Sequence, residues 1–264
     1  MRAVLNTGSG PVEEHYAVGA VDVTDGGARA EATMGPWSRL RDGQFAPGVL
    51  GPLVDMAWSH AVLGHRPDGQ WGVSTEISID FVADPSPAGR LTATGEMMSV
   101  DSAGGVARGE VRDDTGELIA LGTLWSTFID VSPPSTTAGD ETAASDEHEV
   151  TGQRPNCFEE LVALRGVGDD LKLAQSPRMT NPLGVGHGGA LFAAASLAAM
   201  NALGSTAARL ESLRGVYVRQ AVGDVKFNSE VLHAGRRFAT VQVTATGADG
   251  RPAVHFTAAM RVTQ

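Results

Sequence analysis

The chain has 264 residues, with 20 Lys and Arg against 31 Asp and Glu, for a formal charge of −11. So acidic a surface repels phosphate backbones and anionic headgroups, which argues against a nucleic-acid binder or a membrane-docking protein. A single cysteine, Cys157, excludes an internal disulfide framework and a multi-cysteine zinc site. The first ten residues lack the apolar core of a secretory signal, and the most apolar run, 190–203, is too short to span a bilayer. The expectation is a soluble, cytoplasmic protein without a metal.

In chain order, a weak leading strand at 17–23 or 28–34 precedes an apolar run with helical spacing at 48–65. Pro52 falls in its first turn, where a missing N–H costs little. Alternating segments at 71–84, 90–100, 105–114 and 117–129 read as strands, with Asp114-Thr115-Gly116 turning the last pair. From 131 to 156 the chain is poor in large apolar residues and rich in Pro, Ser, Thr and acids, the composition of a flexible linker. The order then repeats: a short strand at 171–176, a helix at 186–204, and strands at 213–222, 224–233, 236–247 and 252–262, with Asp249-Gly250 as the matching turn. The domains expected are therefore 14–130 and 157–264. Each is a helix wrapped by a curved antiparallel sheet, an α+β architecture. Two such halves hide their exposed sheet edges by pairing edge to edge, so that a tandem chain becomes a covalent two-fold dimer with a continuous sheet.

Asn181-Pro-Leu-Gly-Val-Gly-His187-Gly188-Gly189 stands immediately before the second helix. Glycines at a helix start allow close approach of a ligand to N–H groups that lack intrahelical partners, and the helix dipole favours a carbonyl oxygen becoming negative there. By itself His-Gly-Gly also suits a tight loop with a satisfied histidine. In the first helix Asp55 is flanked by Leu53, Val54, Met56, Ala57 and Trp58, so its carboxylate is either buried for a purpose or partly exposed without one.

The spacing N-x5-H-G-G before an apolar helix, followed by a strand opening Gly72-Val73-Ser74, resembles the hotdog-fold acyl-CoA thioesterases of the PaaI-like type. The resemblance covers both halves, leaving out the linker and the first dozen or so residues. It implies two hotdog domains in tandem, an acyl-CoA substrate, coenzyme A only as part of that substrate and no cofactor, and pairing of the tandem chain into a homodimer. In that family Asn, His and the first Gly come from one subunit, and an acid and a Ser from the other. The acid position in the second half is Ser196, whereas Asp55 matches in the first. Superposing Asp55 on Ser196 puts Leu40, Ala46 and Pro47 opposite Asn181, His187 and Gly188, and Pro47 has no N–H to donate. Aligning Gly72-Val73-Ser74 with Gly215-Val216-Tyr217 likewise leaves the serine in the first half only. One composite site, Asp55 and Ser74 with Asn181, His187 and Gly188, keeps every part, and its pseudo-symmetric twin keeps none.

On this resemblance, Gly188 N–H, helped by the Asn181 side chain, polarises the thioester carbonyl, and Ser74 orients water or the carboxylate. Asp55 acts as general base or as nucleophile. His187 either bonds near the departing sulfur or braces the loop. Gly189, Met56 and Phe192 are candidates for the substrate pocket, and Ser59 for a polar neighbour or a packing residue. Arg236 and Arg237 are candidates for the coenzyme A phosphates or else solvated strand ends. Ser196 and Tyr217 are expected to be structural or to shape a dead pocket. His60 and His65 lack a third ligand and are expected at the surface. A hotdog enoyl-CoA hydratase and a non-catalytic acyl-CoA sensor are the alternatives. Met179 and Gly184 stand in the neighbourhood where the hydratase motif requires Asp and His, and retention of Asp55 with Ser74 favours catalysis over sensing.

Overall fold

A computed structural model describes residues 10–131, 154–166, 170–204 and 208–262. The linker expected at 131–156 lies for the most part outside the described residues. The short helix α1 (Pro11–His15) opens the first half, followed by β1 (Asp22–Thr24), β2 (Gly27–Thr33), α2 (Leu50–Leu63), β3 (Trp71–Phe81), β4 (Arg90–Val100), β5 (Gly104–Asp113) and β6 (Leu118–Ile129). The second half repeats the plan with α3 (Phe158–Val162), β7 (Leu171–Leu173), α4 (Gly188–Ala202), β8 (Ala208–Tyr217), β9 (Val225–Ala234), β10 (Phe238–Thr246) and β11 (Pro252–Val262).

All strands join one antiparallel sheet in the order β1-β2-β4-β5-β6-β3-β8-β11-β10-β9-β7. The seam between halves is β3 against β8, where each would otherwise be an exposed edge. Ser78 pairs Arg214 at its centre, flanked evenly by Glu76↔Val216 and Asp80↔Ser212, the register of a pseudo-two-fold axis. Arg214 also bridges to Glu76 across the seam at 2.6 Å. Two bulges obey the same axis: Thr75 is skipped in the β3–β6 pairing and Glu211 in the β8–β11 pairing. Ser74 is therefore the counterpart of Leu210. Matching Gly72-Val73-Ser74 with Gly215-Val216-Tyr217 is out of register by seven residues. The mismatch has a local cause: β8 starts at Ala208, ahead of the expected 213, and ends at Tyr217.

Both long helices are apolar nearly all round, the pattern of a helix enclosed on every side. α2 buries twelve of its fourteen residues, and Trp58 packs fully buried over Gly95 and Gly109 of the neighbouring strands. α2 and α4 touch backbone to backbone: a Cβ on Gly189 would run into the Gly51 carbonyl and Pro52. Each helix is entered by the same loop. Leu40 N–H bonds the Gln44 carbonyl as Asn181 N–H bonds that of Val185, and Ala46 N–H bonds Ser38 as His187 N–H bonds Met179. Gly43 and Gly184 both take positive φ (87° and 73°) at the same point of the turn. These pairs confirm the offset that sets Ala46 opposite His187, Pro47 opposite Gly188 and Asp55 opposite Ser196. Among the described residues no helix is long and apolar enough to cross a membrane.

Candidate active site

The α2–α4 contact brings Asp55 of the first half against the glycine-led start of α4 in the second. Asp55 is only 7% exposed, and both of its oxygens are held. Ser74 Oγ–H donates to Oδ1 at 2.7 Å, and Gly189 N–H donates to Oδ2 at 2.8 Å. A carboxylate at a helix N-terminus gains from the dipole as well as from the hydrogen bond. Close approach requires glycine on both sides of it: a Cβ on Gly188 would stand 2.8 Å from Asp55 Oδ2. Gly188 is partly exposed, and its N–H donates to no group among the described residues, so it is the free helix-start donor beside the carboxylate. Gly189, expected in the substrate pocket, instead spends its N–H on Asp55.

His187 caps α4. Its Nδ1 lies 3.1 Å from Gly189 N and 3.4 Å from Asp55 Oδ2, and its Nε2 lies 3.0 Å from Glu13 Oε1. Burial pushes the imidazole down, but the Glu13 hydrogen bond and the charges of Asp55 and Glu13 outweigh it and hold His187 above its ordinary value. Tyr217 O–H donates to the Gly188 carbonyl at 2.8 Å, while its ring meets Phe256 edge-on. Burial, with the charge of Asp55 added, pushes this phenol well up.

The structure thus brings Asp55, Ser74, His187, Gly188 and Gly189 together. Asn181 heads the same loop, but its Oδ1 accepts from Leu183 and Val185 N–H (3.0 and 3.3 Å), so it shapes the turn. Ser59 sits one turn beyond Asp55 and approaches His60 Nδ1 at 3.5 Å. His60, expected at the surface, is half-buried and bonds the Met56 carbonyl at 2.7 Å. Met56 is buried beside Asp55. Phe192 is fully buried against Gly51 and Phe256. Arg236 and Arg237 form the turn between β9 and β10, beside Arg261 and Val262, which pair with the Ala208 end of β8. Tyr217 marks the other end of β8, roughly 30 Å away at about 3.3 Å per residue. The two arginines therefore flank the twin position, away from Gly188. Tyr217, expected to be structural or to shape a dead pocket, braces the Gly188 carbonyl at the Asp55 site and not at its twin. Glu13 was missed altogether, because nothing in PVEEH marks a functional segment. Among the described residues no cluster of His, Cys, Asp or Glu could hold a metal ion.

The twin position is sealed. Ser196 is fully buried and turns its hydroxyl to the Ala193 carbonyl at 2.7 Å. Gly48 packs against Ser196 and the Phe158 ring, and Ala46, Pro47 and Leu210 are all buried.

Residues 5–123 match a family model of the acyl-CoA thioesterase C-terminal domain, and residues 176–261 match that of the acyl-CoA thioesterase N-terminal domain. The halves follow here in the reverse of the order those names imply. No curated protein sequence matches the chain. Among solved structures, a protein of Thermobifida fusca assigned as a thioesterase II is 15% identical, with a TM-score of 0.63 over 97% of this chain and 100% of that chain. A protein of unknown function with a hot dog fold from Alicyclobacillus acidocaldarius is 10% identical, with a TM-score of 0.60 over 97% and 99%. An acyl-ACP thioesterase from Bacteroides thetaiotaomicron is 12% identical, with a TM-score of 0.55 over 94% and 99%. Identities this low speak for the fold, whereas the two family models together take in well over half the chain. With a hotdog unit in each half and an acyl-CoA thioesterase domain matched to each, the chain belongs to the hotdog-fold thioesterases and is a thioester hydrolase.

Proposed function

We propose that the protein hydrolyses acyl-CoA thioesters at a single composite site between its halves, in the manner of the PaaI-like enzymes. The observation that carries this reading is the Asp55 carboxylate, fixed by Ser74 and Gly189 N–H next to the unpaired N–H of Gly188. The Gly188 donor polarises the thioester carbonyl and stabilises the oxyanion, with the α4 dipole behind it. Asp55 removes a proton from water as its oxygen attacks the acyl carbon; the C–S bond then breaks, and the thiolate takes up a proton. Attack by Asp55 itself, through a mixed anhydride that water opens, uses the same atoms. The two donors that hold the carboxylate stabilise its charge and so temper it equally as a base and as a nucleophile. Coenzyme A enters only as part of the substrate, and no step needs a cofactor.

The test is thiol release from short, medium, long and aromatic acyl-CoAs. Turnover is expected with at least one class, falling by roughly 100-fold or more in Asp55→Asn with KM little changed. Absence of thiol release from every class, or full activity in Asp55→Asn, sinks the reading.

A further inference from the structure

Glu13 takes no part in the chemistry above, yet it is withdrawn from water, at 7% exposure. A lone buried carboxylate is costly unless charge and hydrogen bonds compensate it. Here Oε2 accepts Gly10 N–H at 3.0 Å, and Oε1 faces His187 Nε2 at 3.0 Å. His187 Nδ1 faces Asp55 on the far side. Glu13, His187 and Asp55 therefore stand in line, two carboxylates from one half gripping an imidazole from the other.

The helix that delivers Glu13 is itself tied down. His15 Nε2 bonds the Leu161 carbonyl at 2.8 Å. Arg154 donates to the Glu14 and His15 carbonyls at 3.0 and 3.1 Å, with its guanidinium 4.9 Å over the Trp37 ring. The sealed side supplies a control. α1 and α3 each lead into an alanine of positive φ, Ala17 (58°) and Ala163 (54°), which aligns Glu13 with Glu159. Glu159 faces a loop bearing Ala46 in place of His187, and it accepts the Arg41 N–H instead. A carboxylate occupies both positions, but only at the Asp55 site does it meet a histidine.

We propose that Glu13 is a positioning residue of the thioesterase site, holding His187 with Nε2–H toward itself and Nδ1 toward Asp55 so that the imidazole receives the proton Asp55 takes from water. The proton moves from water to the carboxylate, then to Nδ1. Glu13 balances the imidazolium until the departing thiolate takes the proton and the neutral ring returns. The directions of titration agree. Burial pushes Glu13 up, but the His187 partner and the backbone N–H groups of Glu13 and Gly10 together outweigh it and hold the carboxyl below its usual value. The other titratable groups facing this line are His60, which burial pushes down, and Tyr217, which burial pushes up, so both are neutral near pH 7.

The proposal rests on the hydrolytic reading, and its test separates the two. NMR titration of the histidines, with His187→Gln to assign the signal, needs no substrate. His187 in the wild type is expected to titrate above the free value of about 6.5, and in Glu13→Gln below its wild-type value. In kinetics, Glu13→Gln should lower kcat by about 10- to 100-fold with KM unchanged. It should also move the acid limb of the pH–rate profile to lower pH, and Glu13→Asp should recover part of both. A wild-type His187 that titrates below the free value overturns the proposal, as does a Glu13→Gln protein with unaltered titration and acid limb. Loss of thiol release in the wild type would instead remove the reading on which it rests.

Discussion

The two loops that enter the long helices share a backbone and differ in nearly every group that matters to chemistry. Residues 38–48 and 179–189 make the same hydrogen bonds and use a positive-φ glycine at the same point. The second loop presents His187 and the Gly189 N–H to a carboxylate, and leaves the Gly188 N–H without a partner among the described residues. The first presents Ala46, a proline without N–H, and Gly48 pressed against Ser196 and Phe158. The fold is thus preserved on both sides of the axis by main-chain geometry, while on the proposed mechanism reactivity is decided by a handful of side chains and by whether an N–H exists. Closing one site with buried carbon also turns it into core.

The widest gap between the two sides is expected from their helix residues. Asp55→Asn should cost roughly 100-fold or more in kcat, as above, whereas Ser196→Ala, which removes only a hydroxyl bonded to its own helix, should leave thiol release within about twofold. A large loss in Ser196→Ala would mean that the twin position is not inert. Putting the carboxylate back on the sealed side sharpens the contrast. Ser196→Asp forces a charge into the space already filled by Gly48 and the Phe158 ring and should destabilise the fold by several kcal/mol; with Pro47 offering no N–H in place of the free Gly188 donor, it should add no activity. Thermal or urea denaturation reads the first effect, and thiol release reads the second. Ser74→Ala removes one of the two donors to Asp55, and its expected cost is about tenfold in kcat, with the fold intact.

The smallest effect is one of pH on stability. His187 lies above its unfolded value, so its contribution is complete below about pH 6.5 and fades as pH rises through the folded value. Glu13 lies below its unfolded value, so its contribution is complete above about pH 4.5 and fades as pH falls through the folded value. The Tm difference between wild type and Glu13→Gln should therefore be widest between about pH 4.5 and 6.5 and narrow on either side. The equivalent substitution Glu159→Gln, with no imidazole opposite, should show no such maximum.

Much of the architecture was legible because period and punctuation are local properties. The strand at 90–100 and the helix around Asp55 can be read from apolar spacing, and the Asp55–Gly188 encounter is what the family resemblance implies once it is laid over two copies of one pattern. The seam was harder. The β8 segment at 208–212, Ala-Arg-Leu-Glu-Ser, shows its partners' chemistry more than its own strand propensity, and the bulge at Glu211 shifts the count. Counting along the sequence consequently sets Tyr217 opposite Ser74, whose counterpart is Leu210. The choice for Arg236 and Arg237 between coenzyme A phosphates and solvated strand ends is open in the sequence for a related reason: which end of a sheet a hairpin occupies depends on the register of strands far away in sequence. Glu13 left no trace at all, since five residues of helix carry no period and its partner lies at position 187.

One close approach sets the terms for the whole molecule. Gly189 meets Gly51 main chain to main chain, and the residue that permits this packing is the one whose N–H grips Asp55. On the proposed mechanism, folding and turnover therefore share a single residue. A side chain grown at that point cannot injure one without the other, so any variant that evolves around it must solve both problems at once.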